Sequence, residues 1–213
     1  MAYKTASRQT IQRLPLYLSY LRSLPSDGPT NVSATAIAEA LDLNDVLVRK
    51  DLASVSAGGR PRIGYITQDL IFSIEQFLGY RDTKSAVLVG AGNIGQVLLH
   101  YKGFAKHGMN IVAAFDTDES VVGESINGKQ VFSVDKLSNL CERMKVRIGI
   151  ISVPAPSAQE ICSILVKSGV MAIWNFAPVQ LKVPDNVMIY NEDWFSSLDQ
   201  LLKHLNDRLH DNI

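Results

Sequence analysis

The sequence predicts an α/β protein in which a helical N-terminal domain precedes a doubly wound parallel sheet and a closing C-terminal helix. Residues 86–89 form a short, uncharged apolar run that leads directly into a glycine-rich turn, and strand-like and helix-like runs then alternate as far as residue 190. Such alternation is typical of a parallel sheet with helices on both faces. The runs within residues 8–55, by contrast, have helical spacing. The predicted domains are residues 1–79, 80–190 and 191–213.

Length and composition describe an ordinary globular chain. The 213 residues suffice for one or two domains, and 46% hydrophobic with 20% charged residues is common for soluble proteins. Cys141 and Cys162 lie in apolar helical patterns, which favours buried thiols and a reducing compartment. The N-terminus has no apolar signal core, and no run is long enough for a membrane span. We therefore expect a cytoplasmic protein.

The net charge of zero conceals an asymmetry between the two parts of the chain. Residues 1–62 carry eight Lys or Arg and five Asp or Glu, a balance of +3, and residues 63–213 carry thirteen and sixteen, a balance of −3. A basic N-terminal domain is a modest indication of a polyanionic partner.

The first predicted helix covers residues 8–24, with Ser7 as its N-cap. Pro15 removes one helical hydrogen bond, so it is expected to kink this helix or to mark its true start. Apolar residues recur every three or four positions and form one stripe. That stripe consists of Ile11, Leu14, Leu18, Leu21 and Leu24.

Two further helices, at residues 32–41 and 45–55, are joined by a brief turn and predict a helix-turn-helix. Ser33 suits the N-cap of the first, and Asn44 or Asp45 that of the second. The expected packing face of the second helix is Leu43, Val46, Val48, Leu52 and Val55. This leaves Leu47, Arg49, Lys50, Ala53 and Ser54 available to a DNA groove.

Residues 56–66 resemble the tip of a β-ribbon, with glycines for the turn, exposed Arg60 and Arg62, and Pro61 to stiffen it. A basic hairpin after a helix-turn-helix is the winged variant, whose wing contacts the DNA backbone or minor groove. A small helical bundle with a solvated Arg-Lys pair is the alternative. The candidate DNA-contacting residues are Ser33, Leu47, Arg49, Lys50, Ser54, Arg60, Arg62 and Tyr65.

The stretch Gly-Ala-Gly-Asn-Ile-Gly at residues 90–95 follows a strand and precedes a helix, as the dinucleotide-binding fingerprint requires. Gly90 permits the tight turn, Gly92 the approach of a pyrophosphate, and Gly95 close packing of helix and strand. Asp116 ends the next strand, 21 residues beyond Gly95, where an acid can bind a ribose 2′-hydroxyl. No Lys or Arg occurs at 117–120, so NAD(H) is favoured over NADP(H). A structural βαβ turn with a solvated Asp is the alternative.

The chain contains little that indicates catalysis. The ends of the third and fourth strands, at residues 153–155 and 175–178, are mostly apolar, and none of the four histidines is predicted to face the pocket. No cluster has metal-ligand spacing, and no nucleophile elbow is present. After about residue 190 one amphipathic helix remains, which leaves no room for a substrate domain. We therefore expect a cofactor that is sensed and not consumed.

Two other functions stay open on the residues alone. One is a small NAD-dependent oxidoreductase or a CoA-binding, ligase-like enzyme subunit. The other is a protein-interaction adaptor with a vestigial nucleotide site.

Taken together, these features resemble the redox-sensing transcriptional repressors of the Rex family. The resemblance spans essentially the whole chain: a winged-helix lobe, Val-Gly-Ala-Gly-Asn-Ile-Gly, Phe-Asp-Thr-Asp, Asn-Phe-Ala-Pro and a closing amphipathic helix, in that order. It implies a homodimer that binds palindromic operator DNA, with NADH disfavouring and NAD⁺ permitting DNA binding. It also implies that the C-terminal helix is swapped and inserts between the two lobes of the partner.

The resemblance assigns roles to individual residues. Gly90, Ala91, Gly92, Asn93, Ile94, Gly95 and Asp116 would bind the pyrophosphate and the adenosine ribose. Val153 and Pro154 would line the cofactor site, and Asn175, Phe176, Ala177 and Pro178 would lie near the nicotinamide. Arg13, Tyr101 and Asp193 match a redox-dependent network between domains and subunits, the alternative being ordinary interface residues. Trp194 is expected close to the nicotinamide, where its fluorescence would report NADH.

One motif departs from the family pattern. The wing, Gly-Gly-Arg-Pro-Arg-Ile-Gly-Tyr, differs from the Lys-Arg-Gly-rich wing common in the family. The operator sequence therefore does not follow from the resemblance.

Overall fold

A computed structural model describes residues 6–25, 30–56, 58–60 and 62–210, except for the side chain of residue 194. Contacts divide the chain into two compact units, Met1–Asp82 and Thr83–Ile213. No helix in the described part of the chain combines the length and apolar character that crossing a membrane requires. Pro61, expected to stiffen the wing, lies outside the described residues.

The described residues of the first unit form four helices and a small two-stranded sheet. Its elements are α1 (Arg8–Ser23), β1 (Asn31–Val32), α2 (Ala34–Ala40), α3 (Asp45–Val55), β2 (Tyr65–Ile66) and α4 (Thr67–Phe77). The predicted caps of the first three helices are confirmed. Ser7 accepts the N–H of Thr10, Ser33 that of Ala36, and Asn44 those of Val46 and Leu47.

Two details of helix packing differ from expectation. α1 begins at Arg8 and runs through Pro15, so the proline does not mark its start. In α3, Val48, Leu52 and Val55 are buried as expected, whereas Val46 is 62% exposed. The prediction for Val46 was wrong because two residues turn a helix by about 200°, which places Val46 opposite Val48.

The wing forms where the sequence predicts it. β1 pairs antiparallel with β2, and residues 60 and 64 form a β-bridge at the tip. Gly64 has a φ of +83°, and a Cβ there would lie 2.4 Å from the carbonyl oxygen of Val32. Glycine is therefore required at the base of this turn.

The second unit is built on a seven-stranded sheet of order β5-β6-β4-β3-β7-β8-β9, parallel throughout except for the β5–β6 hairpin. Its strands are β3 (Lys84–Val89), β4 (Met109–Asp116), β5 (Ser125–Ile126), β6 (Lys129–Ser133), β7 (Ile148–Ile151), β8 (Ala172–Asn175) and β9 (Met188–Asn191). Its helices are α5 (Asn93–His100), α6 (Leu137–Arg143), α7 (Ala155–Lys167) and α8 (Trp194–His210), with 3-10 turns at Phe104–His107 and Val134–Lys136. Helices cover both faces, which confirms the predicted fold class.

The core of this unit lies on both sides of β3, whose residues 86–89 are fully buried. Cys141 and Cys162 are free, buried thiols, as predicted. Burial raises the pKa of Cys141 to about 11, so neither the position nor the acidity of this thiol suits reactivity.

The helix after the glycine turn is shorter than the pattern suggests. A helical pattern extends to Lys106, but α5 ends at His100 and a separate 3-10 turn follows. A Cβ at Gly103 would lie 2.4 Å from the Tyr101 ring, so this ring packs closely over the glycine where the chain leaves α5.

The closing helix α8 follows the prediction for its position and its amphipathic character. Its large apolar side chains are 46–67% exposed, and no described residue buries them: Phe195, Leu198, Leu201, Leu202, Leu205 and Leu209. A continuous exposed apolar stripe of this kind marks an interaction surface.

Candidate functional site

The three glycines of the turn between β3 and α5 meet three different geometric demands. Gly90 has a φ of +100°, and a Cβ there would lie 2.7 Å from the backbone of Ser152. A Cβ at Gly95 would lie 1.9 Å from the carbonyl oxygen of Gly90, whereas one at Gly92 would meet nothing within 4 Å. The turn is therefore tight at Gly90, closely packed at Gly95 and open at Gly92, which is the shape that lets a pyrophosphate approach the start of a helix.

Asp116 lies at the end of β4, beside this turn. Its Oδ2 accepts the N–H of Ala91 at 2.6 Å, and its Oδ1 accepts the N–H groups of Thr117 at 2.7 Å and Asp118 at 3.0 Å. Three backbone donors therefore fix a carboxylate next to the glycine turn. A carboxylate has about four acceptor positions, so capacity remains for a ribose hydroxyl.

Further carboxylates follow Asp116. Hydrogen bonds from Ser120 lower the pKa of Asp118, so this exposed group is charged at neutral pH. A 2′-phosphate would meet these negative charges, and this local charge favours NAD(H) over NADP(H).

The segment after β7 closes the other side of the glycine turn. A Cβ at Gly90 would lie within 3.0 Å of backbone atoms of Ser152 and Val153, and the Ser152 hydroxyl donates to the carbonyl oxygen of Gly90 at 2.8 Å. Val153 is half-buried and Pro154 is exposed. Sequence reasoning missed Ser152, because a lone serine at a strand end carries no signal that it will bind a loop 62 residues earlier in the chain.

A cavity of about 530 Å³ opens beyond the ends of β8 and β9. It is lined by Ile94 of α5, by residues 176–180, and by Asn191, Glu192, Asp193 and Phe195. In the sheet, β4 lies on one side of β3 and β7, β8 and β9 on the other. A dinucleotide with its adenosine at Asp116 and its pyrophosphate at the glycine turn would therefore extend its second half towards this cavity.

Asn175 was predicted to bind the cofactor near the nicotinamide, and the structure corrects the role of its side chain. Asn175 is fully buried, its Nδ2 donates to the Val179 carbonyl oxygen at 2.7 Å and to Asn191 Oδ1 at 2.9 Å, and its Oδ1 accepts the Ala177 N–H. The side chain therefore shapes the loop that lines the cavity. Phe176, Ala177 and the exposed Pro178 are the members of this motif that line it.

A second cavity, of about 490 Å³, adjoins the first and brings together Tyr101 and Asp193. Four aromatic rings run along it from Tyr101 through Phe104 and Trp174 to Phe176, with centroids 4.8–5.9 Å apart. Asp193 Oδ1 accepts the N–H groups of residues 195 and 196, so this carboxylate also caps α8. Trp194 begins α8, and its predicted contact lies outside what the structure describes.

In the first unit, Arg13 binds Asp51, a residue that sequence reasoning missed. Arg13 Nε and Nη2 donate to the two Asp51 oxygens at 2.7 and 3.0 Å, Tyr17 Oη donates at 2.7 Å and Thr10 Oγ1 at 2.9 Å. The Asp51 side chain is 3% exposed and that of Arg13 21%. The carboxylate thus joins α1 to α3, and the role of Arg13 between domains or subunits stays a prediction.

Burial and hydrogen bonding oppose each other in setting the pKa of Asp51 and reinforce each other in setting that of Tyr17. Burial would raise the pKa of Asp51, but hydrogen bonds from Arg13, Tyr17 and Thr10 outweigh it and lower that pKa below its ordinary value. Burial and the hydrogen bond to Asp51 together raise the pKa of Tyr17 to about 12. Asp51 is therefore ionised and Tyr17 neutral at physiological pH.

The predicted DNA-contacting cations lie on the surface of the first unit. Arg49 and Lys50 are exposed on α3, where Arg49 also pairs with Asp45, and Arg60 and Arg62 are exposed on the wing. Leu47 and Ser54 are half-buried, Ser54 donating to the Asp51 carbonyl oxygen, and Ser33 is exposed.

Tyr65 was predicted to contact DNA, and this also requires correction. The side chain is 9% exposed and packs in the core of the first unit, with its ring against Gly59. Side chains alternate between the faces of a strand, and the face that Tyr65 occupies is the inner one.

Two family models match this chain. The model described as "Putative DNA-binding protein N-terminus" matches residues 6–53, and the model described as "CoA binding domain" matches residues 81–179. Within the described residues, no group of His, Cys, Asp or Glu side chains has the geometry to hold a metal ion. A helix-turn-helix unit followed by a dinucleotide-binding type of sheet defines the class of ligand-responsive transcription regulators.

Known proteins identify the family within that class. The redox-sensing transcriptional repressor Rex of Treponema denticola is 39% identical over 93% of this chain and 94% of its own length. That of Carboxydothermus hydrogenoformans is 41% identical over 90% and 92%. The chain belongs to the Rex family of redox-sensing transcriptional repressors, and is therefore a regulator and not an enzyme.

Solved structures agree with this assignment. The crystal structure of RSP in complex with β-NAD⁺ and operator DNA has a TM-score of 0.91 at 32% identity, covering 98% of this chain and 96% of that one. The crystal structure of RSP in complex with β-NADH has a TM-score of 0.85 at 32% identity, covering 98% of both chains.

Proposed function

We propose that this protein is a cytoplasmic DNA-binding repressor that responds to the NADH/NAD⁺ ratio. It binds a palindromic operator when NADH is low and is released when NADH binds. The observation that carries the proposal is that one chain combines a winged helix-turn-helix with a glycine turn and an acid shaped for a dinucleotide. RSP, a repressor of the same family, has been crystallised with NAD⁺ and operator DNA and with NADH.

The ligand half of the proposal rests on the geometry of the second unit. The open approach at Gly92, the carboxylate of Asp116 beside the turn, and the cavity at the ends of β8 and β9 suit pyrophosphate, adenosine ribose and nicotinamide, respectively. Val153 and Pro154 follow β7, which lies between β3 and β8, so they suit the part of the ligand between the glycine turn and the cavity. When bound, the cofactor supplies a ring whose charge differs between its oxidised and reduced forms, and the chain supplies the site that detects it.

The DNA half rests on the first unit. The exposed Arg49 and Lys50 on the second helix of the helix-turn-helix suit the major groove, and Arg60 and Arg62 on the wing suit the backbone or minor groove. The buried Asp51 ties this helix to α1, so the cationic face is held on a rigid support.

We further propose a homodimer in which α8 is swapped. The exposed apolar stripe from Phe195 to Leu209 needs a cover, and a second copy of the chain supplies one with the two-fold symmetry that a palindromic operator requires. Tyr101, Asp193 and Arg13 are then candidates for contacts that change between the NAD⁺ and NADH forms.

The test begins with selection of a duplex from a randomised pool in the presence of NAD⁺, followed by titrations of the selected duplex with and without NADH. Salt must be fixed, because phosphate contacts make DNA affinity steeply salt-dependent. We expect NADH to weaken DNA binding, NAD⁺ to reverse this by competition, and CoA to do neither. Unchanged DNA affinity at saturating NADH would refute the sensing role.

A further inference from the structure

The segment between β9 and α8 places acidic groups on a cavity that is otherwise largely apolar. Glu192 and Asp193 line it together with Phe176, Ala177 and Pro178. The described residues that line this cavity and its neighbour include no Lys or Arg to neutralise them. The site proposed for a redox-active ring therefore carries a local negative charge.

The two carboxylates are held differently. Asp193 is committed to the start of α8, where its Oδ1 accepts two backbone N–H groups. Glu192 is half-buried, and its Oε1 accepts the indole N–H of Trp174 at 2.7 Å. The indole is a neutral donor, so it fixes the position of the Glu192 carboxylate and leaves its charge in place.

Backbone contacts also hold Glu192 in register with the cavity. Its N–H donates to the carbonyl oxygen of Asn175 at 2.8 Å, which continues the pairing of β8 with β9. The Trp174 ring that holds the carboxylate lies 4.8 Å from the ring of Phe176, a lining residue. The carboxylate of Glu192 is therefore held in a fixed position by the packed residues around the cavity.

We propose that Glu192 sets the preference of the site between the oxidised and the reduced nicotinamide, an inference that rests on the proposed NAD(H) site. The nicotinamide ring of NAD⁺ carries a positive charge and that of NADH is neutral, while the rest of the two molecules is the same. A fixed carboxylate attracts the former and is indifferent to the latter. Glu192 thus raises the NADH/NAD⁺ ratio at which the operator is released.

The size of the effect follows from Coulomb attraction across the cavity. A cavity of about 530 Å³, taken as a cube, is roughly 8 Å across, and we use this length as the distance between the Glu192 carboxylate and the ring. At an effective dielectric constant of about 20, and with a discount for the partial exposure of Glu192, the attraction corresponds to about tenfold in affinity.

The test is the variant E192Q, which keeps the side-chain volume and an oxygen that can accept the Trp174 N–H but removes the charge. Affinities for NAD⁺ and NADH are measured by calorimetry on the full chain. We expect NAD⁺ affinity to fall about tenfold, NADH affinity to change by less than about twofold, and the ratio for half-release of DNA to fall by about the same factor of ten. E160Q, which removes an exposed charge on α7, is the matched control and should change neither.

Equal losses for both ligands, or no change for either, would overturn the assignment of Glu192. Absence of NADH binding by the wild-type chain would instead refute the proposed function, so the two failures are distinct. A measurement on the wild-type protein guards against a misfolded variant. Raising the salt concentration should lower the affinity for NAD⁺ more than that for NADH, because salt screens the attraction between Glu192 and the charged ring. The phosphates are common to both ligands, so their screening cancels in the comparison. Identical salt dependences would count against the proposal.

Discussion

Replacing Asp51 by Asn tests whether the buried carboxylate holds the DNA-binding unit together. An amide keeps the shape but offers one oxygen, and it turns an N–H₂ group towards donors that now lack an acceptor. Arg13 loses a two-point ion pair, and Tyr17 or Thr10 loses its partner. Breaking a buried pair from one side costs about 3–5 kcal/mol, and the partial exposure of Arg13 favours the lower end, about 3 kcal/mol.

The assay separates the two units by their chromophores. Both tryptophans, Trp174 and Trp194, belong to the second unit, and five of the seven tyrosines to the first. In urea unfolding of D51N, we expect the free energy of unfolding followed by tyrosine absorbance to fall by about 3 kcal/mol. The transition followed by tryptophan fluorescence should stay in place.

Two comparisons make this result interpretable. Y17F removes one donor and leaves the ion pair, so a loss of about 1 kcal/mol is expected. R22Q removes a more exposed pair with Glu75 between α1 and α4 and should cost well under about 1 kcal/mol. A D51N variant no less stable than R22Q would refute the reasoning.

The same network predicts a pH dependence. The pKa of Asp51 is lower in the folded protein than in the unfolded chain, where it is about 3.9. The contribution of Asp51 to the free energy of unfolding is therefore complete above that unfolded-state pKa and is lost as the pH falls through the lower folded-state value. The difference between wild type and D51N should therefore shrink in strong acid. A difference that stays constant down to low pH would contradict an ionised Asp51.

Three further predictions concern the two proposed sites. D116A should weaken NADH binding by about 1–3 kcal/mol in calorimetry, because a charged hydrogen-bond acceptor is lost. DNA binding in the absence of NADH should not change, and a variant that lost both NADH binding and DNA binding would indicate general destabilisation. R49A or K50A should weaken DNA binding and lower the slope of log affinity against log salt by about 1, whereas R143A, an exposed arginine on α6, should alter neither. G95A should abolish NADH binding and lower the melting temperature, because its Cβ would overlap the Gly90 carbonyl oxygen; full NADH affinity would show that the turn tolerates a side chain.

The elements that the sequence predicts well are those specified by local pattern. The apolar run before Gly90 and the N-caps Ser7, Ser33 and Asn44 define strands and helix starts over a few residues. The spacing from Gly95 to Asp116 also carries enough information to place the acid beside the turn.

The features that the sequence did not predict depend on residues far apart in the chain. Asp51 has the appearance of a solvated acid on a helix, and its partners lie 34–41 residues earlier. Ser152 binds the Gly90 carbonyl oxygen across 62 residues, and Glu192 binds Trp174 across two neighbouring strands. In each case tertiary packing decides which polar group is buried.

The corrections have the same origin. Asn175 and Tyr65 belong to motifs that suggest ligand and DNA contacts, but the face each occupies turns it inward. A motif identifies the segment near a site, and the strand or loop geometry decides which of its side chains lines it.

The proposed function requires that the dinucleotide site and the DNA-binding surface be coupled, and thermodynamic linkage tests this coupling. NADH affinity is measured by calorimetry with and without saturating operator duplex, at one salt concentration. We expect the duplex to weaken NADH binding by the same factor, about tenfold or more, by which NADH weakens DNA binding. An NADH affinity that is unchanged by bound DNA would contradict it.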